Sequence, residues 1–198
     1  MKVHLKDVRI TFLQLFDAKQ VNGQGEPKFS AAFLVPRDHP QLGEIQKAVT
    51  EAAAAKWGAK AGDELKKLKA SDRLAVHDGD AKSDYEGYAG NLFVNASNRI
   101  RPLVIDGNRA PLTASDGKPY SGCYVNAILE FWAQDNQFGK RVNASLLGVQ
   151  FSKDGKRLAG GAVAAADDFE AIPEMTANTE ANTEANTEAW KTGAGSLF

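Results

Sequence analysis

Tyr120-Ser121-Gly122-Cys123-Tyr124-Val125-Asn126-Ala127-Ile128-Leu129-Glu130-Phe131-Trp132-Ala133 is the stretch whose reading decides the fold. With a period of two, Val125, Ala127, Leu129 and Phe131 share one face, and Tyr124, Asn126, Ile128, Glu130 and Trp132 share the other. β-Branched and aromatic residues fit a pleated, half-buried surface, and Ser115-Asp116-Gly117-Lys118-Pro119 ahead of them is turn chemistry. The stretch is therefore a long strand with one apolar face for a core. Its other face sets a Tyr and a Trp beside polar groups. That is either a second buried face or a platform for nucleic acid or sugar.

Further strands lie on both sides. Residues 3–16 alternate loosely through Val3, Leu5, Val8, Ile10 and Phe12, with a bulge expected near Lys6-Asp7. A turn-rich connection over 21–27 leads to a second strand carrying Phe29, Ala31, Phe33 and Val35, which stops at Pro36; the two form a hairpin. Residues 91–105 read as a third strand. Leu92, Val94, Ala96, Asn98 and Ile100 take one face, and Phe93, Asn95, Ser97, Arg99 and Arg101 the other. An aromatic, two small polar residues and two arginines in line suit a stacked base followed by phosphates. The plainer reading pairs both arginines with surface carboxylates. After the opening strand come a turn at 135–141 and a last strand at 142–151. Gly-Lys-Arg occurs at 139–141, bringing Lys140 and Arg141 to a hairpin tip, and again at 155–157.

Between the second and third strands the period changes. Leu42, Ile45, Val49 and the alanines at 52–55 recur at helical spacing, Pro40 suits a first turn, and Gly58 suits a C-terminal cap. Residues 63–70 form a second, Lys-rich helical piece, with Lys66, Lys67 and Lys69 on a solvated face. An Ala-rich helix inserted among strands covers one open face or end of a barrel. Residues 76–90 are loop-like, and Tyr85 and Tyr88 beside glycines are candidate stacking groups. Asp78, Asp80 and Asp84 invite comparison with a calcium loop, but the glycine is at the wrong offset and Ala89 stands where the twelfth-position carboxylate belongs.

With 198 residues, 43% hydrophobic and 25% charged, the chain supports one well-buried domain plus appendages. No run approaches the roughly 18 apolar residues of a membrane span. Met1-Lys2-Val3-His4-Leu5-Lys6-Asp7 lacks the apolar centre of a signal peptide, and the single Cys123 permits no internal disulfide. A reducing cytoplasm is the expected compartment. The net charge of −1 hides an asymmetry. Residues 164–198 carry seven acidic groups against Lys191 alone, net −6, leaving 23 basic and 18 acidic groups, net +5, in residues 1–163. This tail, with three Ala-Asn-Thr-Glu repeats at 177–188, cannot bury enough apolar surface to offset its ordering entropy and is expected to be disordered. It ends in Gly195-Ser196-Leu197-Phe198.

No catalytic constellation emerges. His4, His39 and His77 occupy unrelated contexts, Cys123 lies in a strand with no activating cation nearby in sequence, and no Walker A motif is present. No cofactor is expected. The enzyme alternative is a metal-dependent nuclease, or another DNA-processing enzyme, using Asp78, Asp80 and Asp84; a virion structural protein is a third reading.

Residues 120–127, then Phe131-Trp132, Phe138-Gly139-Lys140-Arg141 and Leu146-Leu147-Gly148-Val149-Gln150-Phe151 resemble phage-encoded single-stranded DNA-binding proteins, a group long catalogued as a domain of unknown function and distantly similar to the T7-type replication protein. The resemblance covers residues 1–163, most strongly 87–157. It implies a mainly β protein: an OB-fold-like five-stranded barrel with an inserted α-helical segment, then a disordered acidic C-terminal tail over 164–198. It implies sequence-independent binding of single-stranded DNA in replication, recombination or repair within the bacterial host's cytoplasm, without enzymatic activity and away from membranes. The tail would compete for the groove and contact replication proteins such as DNA polymerase through Phe198, although its last acidic residue, Glu188, stands ten positions before the end. The expected DNA contacts are Tyr88, Phe93, Tyr124 and Trp132 for bases and Arg99, Arg101, Lys140 and Arg141 for phosphates.

Overall fold

The computed structural model describes residues 1–21 and 24–158. The elements run β1 (Lys2–Val21), β2 (Gln24–Pro36), α1 (Leu42–Trp57), α2 (Ala61–Ala70), β3 (Val76–Asp78), β4 (Asn91–Asn98), β5 (Leu103–Ile105), β6 (Tyr124–Asn136) and β7 (Gly139–Lys153). They form one sheet in the order β3-β4-β2-β1-β6-β7-β5, antiparallel except for the β5–β7 pair.

The alternation in β6 is realised residue by residue. Val125, Ala127, Leu129 and Phe131 are buried, and they meet Val3, Leu5, Val8 and Ile10 of β1 in a single core. The β1–β6 ladder breaks between Leu5 and Val8, where Asp7 takes φ +54°. A bulge strands backbone groups, and side chains satisfy them here. Gln41 Oε1 accepts from the Lys6 amide at 2.7 Å, Gln41 Nε2 donates to the His4 carbonyl at 2.5 Å, and Asn126 Oδ1 accepts from the Asp7 amide at 3.1 Å. Gln41 immediately precedes α1, so the bulge also fixes where the helix starts.

Helix α1 buries Ile45, Ala48, Val49, Ala52 and Ala53, one stripe at helical spacing, in the same core as β1 and β6. Burial of Ile45 and Val49 contributes about 1.5–3 kcal/mol each. Gly58 at φ +55° ends the helix.

Five long strands match the expected five, but the sheet is seven-stranded and not closed. Residues 91–105 are not one strand. Asn98 Oδ1 accepts from the Ile100 amide at 3.1 Å, making a side-chain turn, and Pro102 has no amide to offer a ladder. The chain resumes as β5 on the edge of β7, while β3 takes the edge of β4. With both edges occupied, β4 and β7 approach without a ladder. Residues 73–75 bridge them: the Ala75 carbonyl accepts from the Asn95 amide at 2.9 Å and the Arg73 carbonyl from the Val142 amide at 3.2 Å. β6 begins at Tyr124 rather than Tyr120 because Gly122, at φ +99°, turns the chain first.

Candidate nucleic-acid interface

Where the sheet fails to close there is a groove of about 700 Å³. Asn95 and Ser97 of β4 and Ser30 and Ala32 of β2 line one side, Arg141 and Asn143 of β7 the other, with Arg73 between them. Ser30 and Ala32 stand opposite Ser97 and Asn95 in the β2–β4 ladder, so these four side chains share one face. Phe12 and Tyr85 form an aromatic wall backed by Tyr88, with His77 and Lys82 beside it. Phe12 stands at a break in the β1–β2 register with φ +47°, which takes its side chain off the regular pleat. Its ring meets Tyr85 edge-on at 5.3 Å, and the two are 49% and 45% exposed. Each can offer a ring face to a base. Among the described residues, the cations Arg73, Lys82 and Arg141 line the groove against one carboxylate, Asp72, whose Oδ1 lies 2.6 Å from His77 Nδ1.

The wall is rooted in a second small core. Tyr88 is 1% exposed, packed with Leu34, Phe93 and Leu158, and desolvation pushes its phenol up to about 12. Phe93 is 2% exposed, edge-on to Tyr88 at 5.0 Å and stacked on His77 at 4.9 Å. Both were expected to meet bases, but their faces are covered by neighbouring side chains, so they support the wall rather than form its surface. His77 and Lys82, whose Nζ is 4.9 Å from the Phe93 centroid, supply part of the cover, and Leu158 supplies more, at the end of residues 154–158, which cross back over the outer face of the sheet. Gly155 lies against the Tyr124 ring, Arg9 Nη2 donates to the Lys156 carbonyl at 2.6 Å, and the Leu158 amide donates to the Ser121 carbonyl at 3.0 Å.

The other expected contacts are dispersed. Trp132 is 43% exposed one strand beyond the groove, paired across the ladder with Asn143, and its Nε1 donates to Ser145 Oγ at 3.0 Å. Tyr124 lies beneath residues 154–158, with Lys153 Nζ 4.6 Å and Arg9 Cζ 5.9 Å from its ring centroid. Arg99 pairs with Glu26 at 2.5 Å, and Arg101 lies over Phe16 at 5.6 Å; neither lines the groove. Lys140 is held by Glu64 at 3.1 Å and Asp135 at 3.9 Å, and its hydrogen bond keeps the Glu64 carboxyl below the usual range. Phe198 lies outside the described residues. Two of the three aspartates of the nuclease alternative, Asp78 and Asp80, are engaged by a cation. Arg37 Nη2 bonds Asp78 Oδ1 at 2.6 Å and Asp80 Oδ2 at 2.8 Å, and the Gly90 amide, ahead of Arg37, holds the Asp80 carboxyl low.

Residues 1–183 match the family described as the ssDNA-binding protein of Enterobacter phage Enc34. The chain belongs to this family.

Protein p50 of Acyrthosiphon pisum secondary endosymbiont phage 1 is 48% identical over 178 residues, 87% of this chain and 94% of that protein. Among solved structures, the Enc34 single-stranded DNA-binding protein in complex with ssDNA is 26% identical, with a TM-score of 0.66 over 80% of this chain and 89% of that one. The gp2.5 protein of bacteriophage T7 shares the fold, with a TM-score of 0.52 at 12% identity over 85% of this chain and 92% of its own. Within this Enc34-type framework, sequence patterning missed Phe12, Arg73 and Lys82 as groove residues. Phe12 had a signal, an aromatic in a strand whose alternation is irregular. Arg73 lies in the irregular connection between α2 and β3 and Lys82 ends a single turn of 3-10 helix, so both reach the groove only through tertiary packing.

Proposed function

We propose that this chain binds single-stranded DNA without sequence preference, in the groove between β4 and β7. The observation that carries the reading is the groove itself: two half-exposed rings, Phe12 and Tyr85, opposite Arg73 and Arg141, with Lys82 beside them. Ring faces stack on any base and cations follow any phosphate, so such a site reads backbone and shape rather than base edges. The strand runs past Asn95 and Ser97, over residues 73–75 to Asn143, and on to Trp132. The relative that holds ssDNA supports the same ligand here. Membership of a phage family points to replication, recombination or repair, in the bacterial host's cytoplasm. The protein acts by coating rather than by catalysis, and the Arg37 bonds to Asp78 and Asp80 argue against a metal-dependent nuclease.

The acidic residues 164–198, net −6, compete with DNA for the body of net +5, and Phe198 contacts replication proteins such as DNA polymerase. Leu158 supports the competition. It is the last described residue, buried against Tyr88 and lining the hollow beside the aromatic wall.

Anisotropy titrations with labelled single- and double-stranded oligonucleotides in magnesium test the reading. Tighter binding of the single strand, recovered intact, is expected. Equal binding of duplex, or cleavage of the strand, contradicts it.

A further inference from the structure

Three aromatic rings near the start of β6 and the end of β7 each carry a cation. Lys153 Nζ lies 4.6 Å from the Tyr124 centroid, Lys118 Nζ 4.4 Å from that of Phe151, and Arg157 Cζ 4.2 Å from that of Tyr120. The β6–β7 ladder sets Tyr124 opposite Lys153 on one face and Phe151 opposite the buried Val125 on the other, and residues 154–155 connect them: Asp154 bonds Lys118 Nζ at 3.3 Å and Gly155 lies against the Tyr124 ring. The Tyr120 hydroxyl, bonded to Asp154 Oδ1 at 2.9 Å, joins the third to them. None of these six residues lines the groove. A second hollow of about 240 Å³ links the two regions. It shares Phe12, Tyr85 and Tyr88 with the groove and reaches Ser121 and Leu158, the chain neighbours of Tyr120 and Arg157.

We propose that this cation-capped aromatic cluster is a second contact surface for single-stranded nucleic acid, continuous with the groove. The inference rests on the groove assignment: a strand that leaves the groove past Tyr85 continues onto Tyr120, Tyr124 and Phe151. In the free protein the cations rest on the ring faces. A phosphate offers an ammonium or guanidinium a charged partner in place of a ring quadrupole, and so draws the cation aside and opens the face to a base. Arg9 stays put as a fixed charge, bonded to the carbonyls of Gly122 and Lys156 at 3.1 and 2.6 Å. Three carboxylates share the surface: Asp7 on Lys153 at 2.9 Å, Asp154 on Lys118 at 3.3 Å and Glu86 on Lys156 at 2.6 Å. Against them stand Arg9, Lys118, Lys153, Lys156 and Arg157, so among the described residues five cations face three carboxylates.

The test uses the full chain, with Lys118→Gln, Lys153→Gln and Arg157→Gln combined, and oligo-dT of about 6 and about 16 nucleotides, within the range one OB fold covers. The variant is expected to bind the short strand like wild type. On the long strand its log–log salt slope should be flatter by about 2, from three phosphate contacts of about 0.7 each. An unchanged slope on the long strand overturns the proposal, as does equal loss on both lengths. Arg73→Gln, run in parallel, weakens the short strand if the groove is the primary site; no effect there removes the groove assignment, whatever the triple variant does. If the triple variant melts below the assay temperature, Lys153→Gln and Arg157→Gln singly must each flatten the long-strand slope by about 0.7. Wild-type slopes in both singles overturn the proposal.

Discussion

Tyr88 meets Phe93 edge-on with ring centroids 5.0 Å apart, and both rings are almost wholly buried. This pair turns a surface loop into a wall, because Tyr88 anchors the segment that presents Tyr85 to the groove. Burial raises the Tyr88 phenol from 10 to about 12. A folded-state pKa above the unfolded one stabilises the fold fully below pH 10, and the contribution is lost as pH rises toward about 12. Tyr88→Phe keeps the ring and removes the titration. Its stability, measured by chemical denaturation between pH 9 and 12, should fall less steeply than wild type. Parallel curves would show that the phenol is solvated.

Salt dependence separates cations in the groove from cations outside it. Arg73, Lys82 and Arg141 predict a log–log slope near −2 for strands confined to the groove, at about 0.7 per contact. Arg141→Ala should flatten it by about 0.7, whereas Arg99→Ala, which removes a cation outside the groove, should change it less. Equal effects of the two substitutions would return Arg99 to the DNA path.

The regular parts of this arrangement were legible in the sequence, and the groove was not. Alternation at Val125, Ala127, Leu129 and Phe131 is a local property of one strand, and so are the bulge at Lys6-Asp7 and the glycine that ends α1. The period of two also put Phe93 on the outer face correctly. What alternation could not say is that residues 84–88 and 154–158 fold over that face and bury it. Arg99 and Arg101 left the expected stripe because a side-chain turn at Asn98 and a proline at 102 end the strand. The groove depends on which strands fail to pair, and that is decided by β3 and β5, three residues each, too short to carry a period.

Trp132 tests how far the strand extends beyond Asn143. Stacking one base on an aromatic contributes about 1–3 kcal/mol, so Trp132→Ala should weaken single-strand binding by roughly 5- to 150-fold. Its melting temperature should change little, since the ring is 43% exposed. A variant that melts early but binds normally while folded would make Trp132 a packing residue.

Deleting residues 164–198 removes a net charge of −6 from a body of +5. A tethered competitor acts at an effective concentration of about millimolar and is screened by salt. The deletion should tighten single-strand binding at low salt, relax discrimination against duplex, and lose both effects as salt rises. Identical low-salt affinities for the two proteins would show that the tail does not visit the groove.

The central claim, that single strands are bound against the aromatic wall between β4 and β7, is tested most directly by Phe12→Ala combined with Tyr85→Ala. Both rings are about half exposed, so the variant should stay folded. Its dissociation constant for a single strand at fixed salt should rise at least roughly 5-fold, the lower bound for one lost stacking contact, and by more if both rings hold bases. A folded double variant with wild-type affinity would contradict the account.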